Sequence, residues 1–314
     1  MIDFTVEEHE IGLRIDQVVA KRIGVSVNEV RRLLEAGKIR VHPTLGALKK
    51  STPVTRGTQV QVLASPQQEG ARVVAESYVP VAEQGALEVL HHDEAIVVVN
   101  KPIAMATHPL KAGERGTLAN LLTARFPECA AASSDPRDGG FVHRLDQQTS
   151  GVLVAARTAA AYTALRESFA SHDVDKLYWA LVHGRLPGER TIDAPLVTRG
   201  GLAKIDHEDP KALEAKTHVR VLVSSARYTL VEAKTSTGRL HQIRAHLASI
   251  GYPLVYDGRY GAPDSNRDEA QLHARSISLP HPVDGWMATY AAPLPPLRRE
   301  LFEALLDEKL PTSW

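Results

Sequence analysis

The sequence predicts an α+β protein: a body built on a mixed, largely antiparallel sheet, preceded by a small unit of two helices and short strands. Three observations carry this. From residue 87 onward, strand-like segments predominate and do not alternate regularly with helices, which argues against a doubly wound parallel sheet. The chain has 314 residues, more than one usual domain length. The charge is also uneven. Residues 1–65 carry 10 Lys/Arg and 7 Asp/Glu, a balance of +3; with 37 of each in the whole chain, the remainder carries 27 and 30, a balance of −3.

The small unit comes first. Leu13, Ile15, Val18, Val19 and Ile23 recur at helical spacing over 13–24. Ser26 followed by Glu29 is a capping-box pattern that opens a second helix, which Gly37 can close. Strand-like KIRV (38–41) and TQVQVL (58–63) follow. Lys21, Arg22, Arg31, Arg32, Lys38, Arg40, Lys49 and Lys50 decorate this unit. A basic unit of this size on a near-neutral body suits a polyanion-binding module, and equally a solvated surface. Residues 66–86 are polar, with Pro and Gly, and read as a linker.

In the body, LEVLHHDEAIVVVNKP (87–102) reads as two strands across a turn. Helical patterns cover 117–127, 158–173 and 237–251, the last stopped by Gly251. Strands are expected at 152–156, 176–184, 215–225 and 226–235. No fixed-period repeat is visible.

Several classes are excluded. Hydrophobic residues make up 43% of the chain, so disorder is not its main state. The single cysteine, Cys129, rules out a disulfide framework or a Cys-rich zinc site and fits a reducing compartment. The acidic N-terminus has no apolar run, and no stretch is long enough to span a bilayer. A soluble, cytoplasmic protein is expected. There is no phosphate-binding G-x-x-x-x-G-K-[ST], no dinucleotide fingerprint and no G-x-S-x-G. No cofactor and no nucleotide cofactor are therefore expected, and monomer is the default state.

Three segments can carry chemistry. In His143–Gly151 (HRLDQQTSG), Asp146 stands alone among Arg144, Thr149 and Ser150 just before an apolar strand. Such a carboxylate can be nucleophile or base; it can also simply bond its own turn. In TGRLHQIRAH (237–246), His241 and Arg244 lie about 60° apart on a helix and share a face. His241 and His246 diverge by about 140°, unlike a metal-binding pair four residues apart, so no metal is expected. In KLYWA (176–180), Tyr178 shares a strand face with Lys176 and Ala180, and can stack on a base or merely pack.

Together these segments resemble one family, the RluA-type pseudouridine synthases. H-R-L-D-x-x-T-S-G matches 143–151, K-x-Y-x-A matches 176–180, and T-G-R-x-H-Q-I-R-x-H matches 237–246. Gly251, Pro253, Tyr260 and Gly261, and upstream Asn100-Lys101-Pro102 with His108-Pro109, fit the same pattern. Residues 272–295 look like the family's closing strands, and the resemblance covers about 87–300 in order. The N-terminal unit resembles the small S-four RNA-binding domain. The chain departs from the family pattern at Gln147, at Tyr256-Asp257 where Gly-Asp is usual, and in VHPTLGA where the small domain usually has V-N-G.

The resemblance implies domains at 1–65 (S-four-like), a linker at 66–86, and a pseudouridine synthase domain of that fold type at 87–314. It implies an isomerase that converts uridine to pseudouridine in structured RNA, ribosomal or transfer. Asp146 would act as the anionic carboxylate, with Arg244 as its bidentate partner and Tyr178 stacked on the extruded uracil. Arg144 would fill the gap the base leaves, and Leu145 and Ile243 would wall the site. Lys101, His108, Arg239, His241 and Gln242 are candidates for phosphate contact. His143 and Thr149, and in the small unit Arg31, Arg32 and Lys38, are further RNA-binding candidates. Other readings are an RNA-binding or RNA-folding module with a vestigial site, and a base-excising glycosidase.

Overall fold

The computed structural model describes residues 2–23, 27–42, 52–63, 79–111, 113–133, 135–263 and 269–311. Ser26, Lys49, Lys50, most of VHPTLGA and linker residues 66–78 lie outside the described residues. The chain divides into two compact units, residues 1–79 and 80–314.

In the first unit, strands β1 (Ile2–Thr5), β2 (Ile39–His42) and β3 (Gln59–Val62) form an antiparallel sheet in the order β1-β3-β2. Helices α1 (Ile15–Ile23) and α2 (Val27–Glu35) supply Ile15, Val18, Val19, Val30 and Leu33 to a core shared with Val41, Val60 and Val62. The helical periodicity of the sequence therefore becomes one apolar face per helix. Beside this core, buried Asp16 accepts from Nε and Nη2 of Arg14 and from Nε of Arg31.

The second unit is α+β, with a nine-stranded mixed sheet. Its strands are β4 (Glu88–His92), β5 (Ile96–Lys101), β6 (Ser150–Ala156), β7 (Asp175–His183), β8 (Arg190–Asp193), β11 (Lys216–Ser224), β12 (Tyr228–Thr235), β13 (Leu272–Pro280) and β14 (Met287–Ala291). The order is β4-β5-β6-β13-β7-β12-β11-β8, with β14 also on β13. Only the short β6–β13 pairing is parallel; the other pairings are antiparallel. β9 (Leu196–Arg199) and β10 (Leu202–Ile205) make a separate hairpin. No strand was predicted for 190–205, where the segments are too short to show a period.

Helices α3 (Leu118–Arg125), α4 (Glu128–Ala132), α5 (Ala159–Ala170), α6 (Gln242–Ser249) and α7 (Pro296–Leu306) complete the unit. Thr117 and Thr158 cap α3 and α5, their side chains accepting from Asn120 N and Ala161 N. Strand alternation sorts β7 between two layers. Ala180 and Val182 pack with Ile243 and Leu247 of α6, while Trp179 and Leu181 pack with Phe302 and Leu306 of α7. Tyr178, two residues before Ala180, joins the α6 side.

Gly151 permits the parallel contact at the sheet's middle. Its φ is +119°, and an added Cβ would lie 2.2 Å from Ala274 O. Only glycine lets β6 approach β13 this closely. This strand pair follows directly on the segment that carries Asp146.

Candidate active site

Residues 145–149 form a loop, leading into β6, whose backbone is tied at nearly every peptide. Thr107 Oγ1 donates to Leu145 O (2.9 Å) and accepts from Leu145 N (3.2 Å). Thr149 N donates to Asp146 O (3.0 Å). Lys101, fully buried at the end of β5, donates to Gln147 O (3.2 Å), Pro102 O (2.9 Å) and Met105 O (2.7 Å). From α7, buried Arg298 donates to Gln148 O (3.0 Å) and to Ser150 Oγ (2.9 Å). Two buried basic side chains thus hold consecutive carbonyls immediately after Asp146. Burial pulls Lys101 down to about 7 and Arg298 down to about 10.

Behind this loop, Ser150 Oγ lies 2.9 Å from Nδ1 of His273, whose Nε2 lies 3.2 Å from Ala292 O. The carbonyl requires Nε2 to carry the proton, so Nδ1 accepts from Ser150. His273 is completely buried and neutral, its pKa pushed down to about 3 by burial.

The Asp146 side chain is 20% exposed, open enough for a ligand to reach it. Oδ2 faces two donors: Nη1 of Arg244 at 3.6 Å and Nε2 of His241 at 3.7 Å. Both distances are within electrostatic reach and beyond a hydrogen bond. Asp146 opens onto a cavity of about 80 Å³. Arg144, Leu145, Thr149, Tyr178, Arg239, Ile243 and Leu272 contribute to its walls.

The expectation that Arg244 pairs bidentately with Asp146 is corrected. Its fork goes to Asp257, with Nε to Oδ2 and Nη2 to Oδ1 both at 2.7 Å. Asp257 is fully buried and Arg244 is 3% exposed. Burial alone would lower the guanidinium pKa; the Asp257 pair outweighs it and the net shift is upward. Arg244 is therefore a permanent cation aimed by one carboxylate at another. Its Cζ also lies 5.1 Å from the Tyr260 ring centroid, at cation–π distance.

Comparison with known proteins agrees with this architecture. The sequence profile of the RNA pseudouridylate synthase family matches residues 95–249. A ribosomal large subunit pseudouridine synthase D of Nitrosomonas europaea is 32% identical over 97% of this chain and 88% of that protein. The chain belongs to the RNA pseudouridylate synthase family. An uncharacterized RNA pseudouridine synthase of Bacillus subtilis is 34% identical over 97% of this chain and 98% of its own. The solved structure of human RNA pseudouridylate synthase domain containing 1 is 25% identical, with a TM-score of 0.54, over 73% of this chain and 99% of that one. The synthase is thus an isomerase that converts uridine to pseudouridine, as the sequence motifs implied.

The fold brings Asp146, Tyr178, Arg244, His241, Arg144, Thr149 and Arg239 of this synthase around one cavity. Burial and the nearby Asp146 charge both push the Tyr178 phenol upward, so it stays neutral. Three proposed RNA contacts are corrected. Lys101 has no exposed surface and its three donors are on carbonyls. His143 Nε2 accepts from Val154 N (3.1 Å), and its ring stacks on Phe169; burial pushes it down to about 3. Gln242 is buried, with its amide donating to Lys216 O, Thr217 Oγ1 and Thr235 Oγ1 and its oxygen accepting from Thr237 Oγ1 and Arg239 N. Each is a structural tie.

His108 stands apart from the cavity walls, edge-on to Phe141, with burial and the Arg144 charge lowering it to about 4. His246 is also structural, between Thr217 Oγ1 and Ala194 O, as the divergence from His241 predicts. In the first unit, Arg31 is engaged with Asp16, and Arg32 and Lys38 are half-buried.

The helix predicted from 237 begins only at Gln242. His241 at its start is left-handed, with φ +49° and ψ 25°. Such a conformation in a non-glycine residue costs roughly 1–3 kcal/mol and collects at functional sites. The Gln242 bonds to Thr237 and Arg239 hold the preceding turn out of the helix. Sequence reasoning missed Thr107, Arg298 and the role of Asp257. Asp257 did show as a family position, but nothing in its spacing paired it with Arg244.

Proposed function

We propose that the synthase modifies large-subunit ribosomal RNA, with Asp146 as the reacting carboxylate. The observation that carries the site assignment is that Arg244 and His241 both address Oδ2 of Asp146, whose side chain is 20% exposed and lines the cavity. The names of relatives such as the Nitrosomonas europaea protein support the RNA class. Cytoplasmic ribosomal RNA is the corresponding substrate pool.

The reaction cleaves the N-glycosidic bond, turns the uracil, and rejoins C5 to the ribose. Positive charge develops at the anomeric carbon, as in glycoside cleavage. A carboxylate anion there can stabilise that charge, attack the carbon, or take the adjacent proton. Arg244 sets a permanent positive charge 3.6 Å from that carboxylate. The target uridine must first leave its stack, which costs a few kcal/mol. Tyr178 offers its ring to the everted uracil and Arg144, exposed at the rim, can occupy the vacated place. Leu145 and Ile243 give the cavity apolar walls that retain the detached base. The N-terminal unit acts as the S-four-like RNA-binding module, its cations contacting phosphates.

The test uses RNA carrying tritium at uracil C5, because forming the C1′–C5 bond releases that label. Asp146→Asn and Asp146→Ala are expected to bind RNA and release none. Full release by either variant overturns the role of Asp146. Mapping pseudouridine across total RNA in a deletion strain tests the target: loss of large-subunit sites supports the proposal, and loss confined to transfer RNA refutes it.

A further inference from the structure

Tyr260 stands between the two donors that address Asp146. Its hydroxyl lies 3.0 Å from Nδ1 of His241, and its ring lies 5.7 Å from the His241 ring in an edge arrangement. The same ring lies beneath the Arg244 guanidinium. Ala203 N, in β10, donates to the Tyr260 hydroxyl oxygen at 2.9 Å. With its oxygen already accepting from Ala203, the phenol has its own proton to give, and Nδ1 is an acceptor within its reach.

The consequence for His241 is chemical. An imidazole that accepts at Nδ1 carries its proton on Nε2. That nitrogen is the one 3.7 Å from Asp146 Oδ2. The opposite tautomer would turn a lone pair toward a carboxylate. Burial also lowers the His241 pKa, against the opposing influence of Asp146, which favours the neutral ring. The left-handed backbone at His241 aims the ring where a regular helical start would not.

We propose that Tyr260 and His241 are positioning residues for Asp146: Tyr260 fixes the His241 tautomer, and the resulting Nε2–H directs its positive end at Oδ2 and orients the carboxylate for the nucleotide. This deepens the site assignment above and rests on Asp146 being the reacting carboxylate. Arg244 supplies charge; His241 supplies direction. The β9–β10 hairpin, through Ala203, sets the phenol that sets the imidazole.

The test compares His241→Ala, His241→Gln and Tyr260→Phe in the full chain, using tritium release for kcat and KM. His241→Ala should lower kcat on the order of 10–100-fold, the effect of losing geometric control of a reacting group. KM should stay within about twofold, because a loss confined to kcat marks an interaction needed in the transition state. His241→Gln, whose amide N–H can take the place of Nε2–H, should recover most of that loss. Tyr260→Phe keeps the ring under Arg244 but frees the tautomer, and should lower kcat severalfold. Nitrogen-15 spectra of histidine-labelled protein, with His241 identified by subtraction of the His241→Gln spectrum, should show Nε2–H in the parent and a mixture in Tyr260→Phe.

Unchanged kcat in both His241→Ala and Tyr260→Phe, a loss in KM alone, or an Nδ1–H or doubly protonated His241 in the parent overturns the proposal. If His241→Ala does not fold, the spectra and the Tyr260→Phe rates decide it. Asp146→Asn run alongside separates the two readings. Turnover by Asp146→Asn sinks the carboxylate assignment itself, whereas a dead Asp146→Asn with unaffected His241 and Tyr260 variants sinks only this one.

Discussion

Arg244 gives its two-pronged face to Asp257 at 2.7 Å on each prong and presents Nη1 to Asp146 at 3.6 Å. The arrangement separates two tasks that one ion pair would confound. A bidentate Arg–Asp146 pair would cover the carboxylate it is meant to sustain. With Asp257 as the anchor, Arg244 is held rigidly while the Asp146 side chain stays 20% exposed and open to substrate.

It follows that Asp257→Asn should damage activity although Asp257 does not line the cavity. The variant leaves a buried guanidinium without its counter-charge, and breaking such a pair by removing one partner costs about 3–5 kcal/mol. Thermal or urea unfolding should register that loss. Arg244→Lys should also lose activity at equal charge, because an ammonium cannot engage both Asp257 oxygens and still face Asp146. Wild-type turnover in Arg244→Lys would show that charge alone suffices.

Much of this was legible in the sequence, for identifiable reasons. Helices α1, α3 and α5 repeat their apolar residues at helical spacing, and the strand runs 176–184, 215–225 and 226–235 are long enough to show themselves. The common face of His241 and Arg244 follows from helix geometry, and both side chains do converge on Oδ2. The four-residue strands β9 and β10 carry too little pattern to be read. The functions of Lys101, Gln242 and His143 were misassigned because polarity in a sequence does not reveal burial. Lys101 and Gln242 are buried and satisfied inside the fold, as buried polar groups generally are, and half-buried His143 is tied to Val154 N and Phe169. The Arg244–Asp257 pair spans a turn whose course no local signal specifies.

Gly151→Ala should be severely destabilising. A methyl group there would overlap the Ala274 backbone, and the residue would sit at a φ of +119° that alanine rarely adopts. Backbone atoms cannot swing away as a flexible side chain can, so β6 and β13 must separate. The expected result is poor soluble yield, or a melting temperature lowered by several degrees, since about 1 kcal/mol corresponds to roughly 2–4 °C in a domain of this size. A variant with unchanged melting would contradict the close approach.

Acid should unfold the synthase earlier than its carboxylates alone require. His143 and His273 are held neutral, each with a folded-state pKa near 3 against an ordinary 6.5. The unfolded chain takes up these protons below pH 6.5, and the folded chain does not until about pH 3. Their contribution is complete above pH 6.5 and is lost progressively as pH falls toward 3. These two rings contribute a slope of about 2.7 kcal/mol per pH unit in the middle of that window, and His108, held at about 4, adds to it in the upper part. Urea midpoints between pH 6 and pH 4 (roughly the half of the window before carboxylates dominate) measure the slope. A flat profile over that range would mean that both rings ionise in place.

Arg298 offers the sharpest test of loop preorganisation. It reaches from α7 to Gln148 O and Ser150 Oγ, and it donates as well to Leu272 O. Arg298→Met keeps much of the side chain's volume and removes every one of these donors. The buried carbonyls are left unpaired, at about 1–3 kcal/mol for each one that water cannot reach. Lys101 still holds Gln147 O from the opposite side, so the loop should loosen rather than collapse. The expected signature is a folded but less stable protein with reduced kcat, because Asp146 then samples positions away from the Arg244–His241 pair. A fall in stability with kcat intact would show that Lys101 and Thr107 alone position the carboxylate.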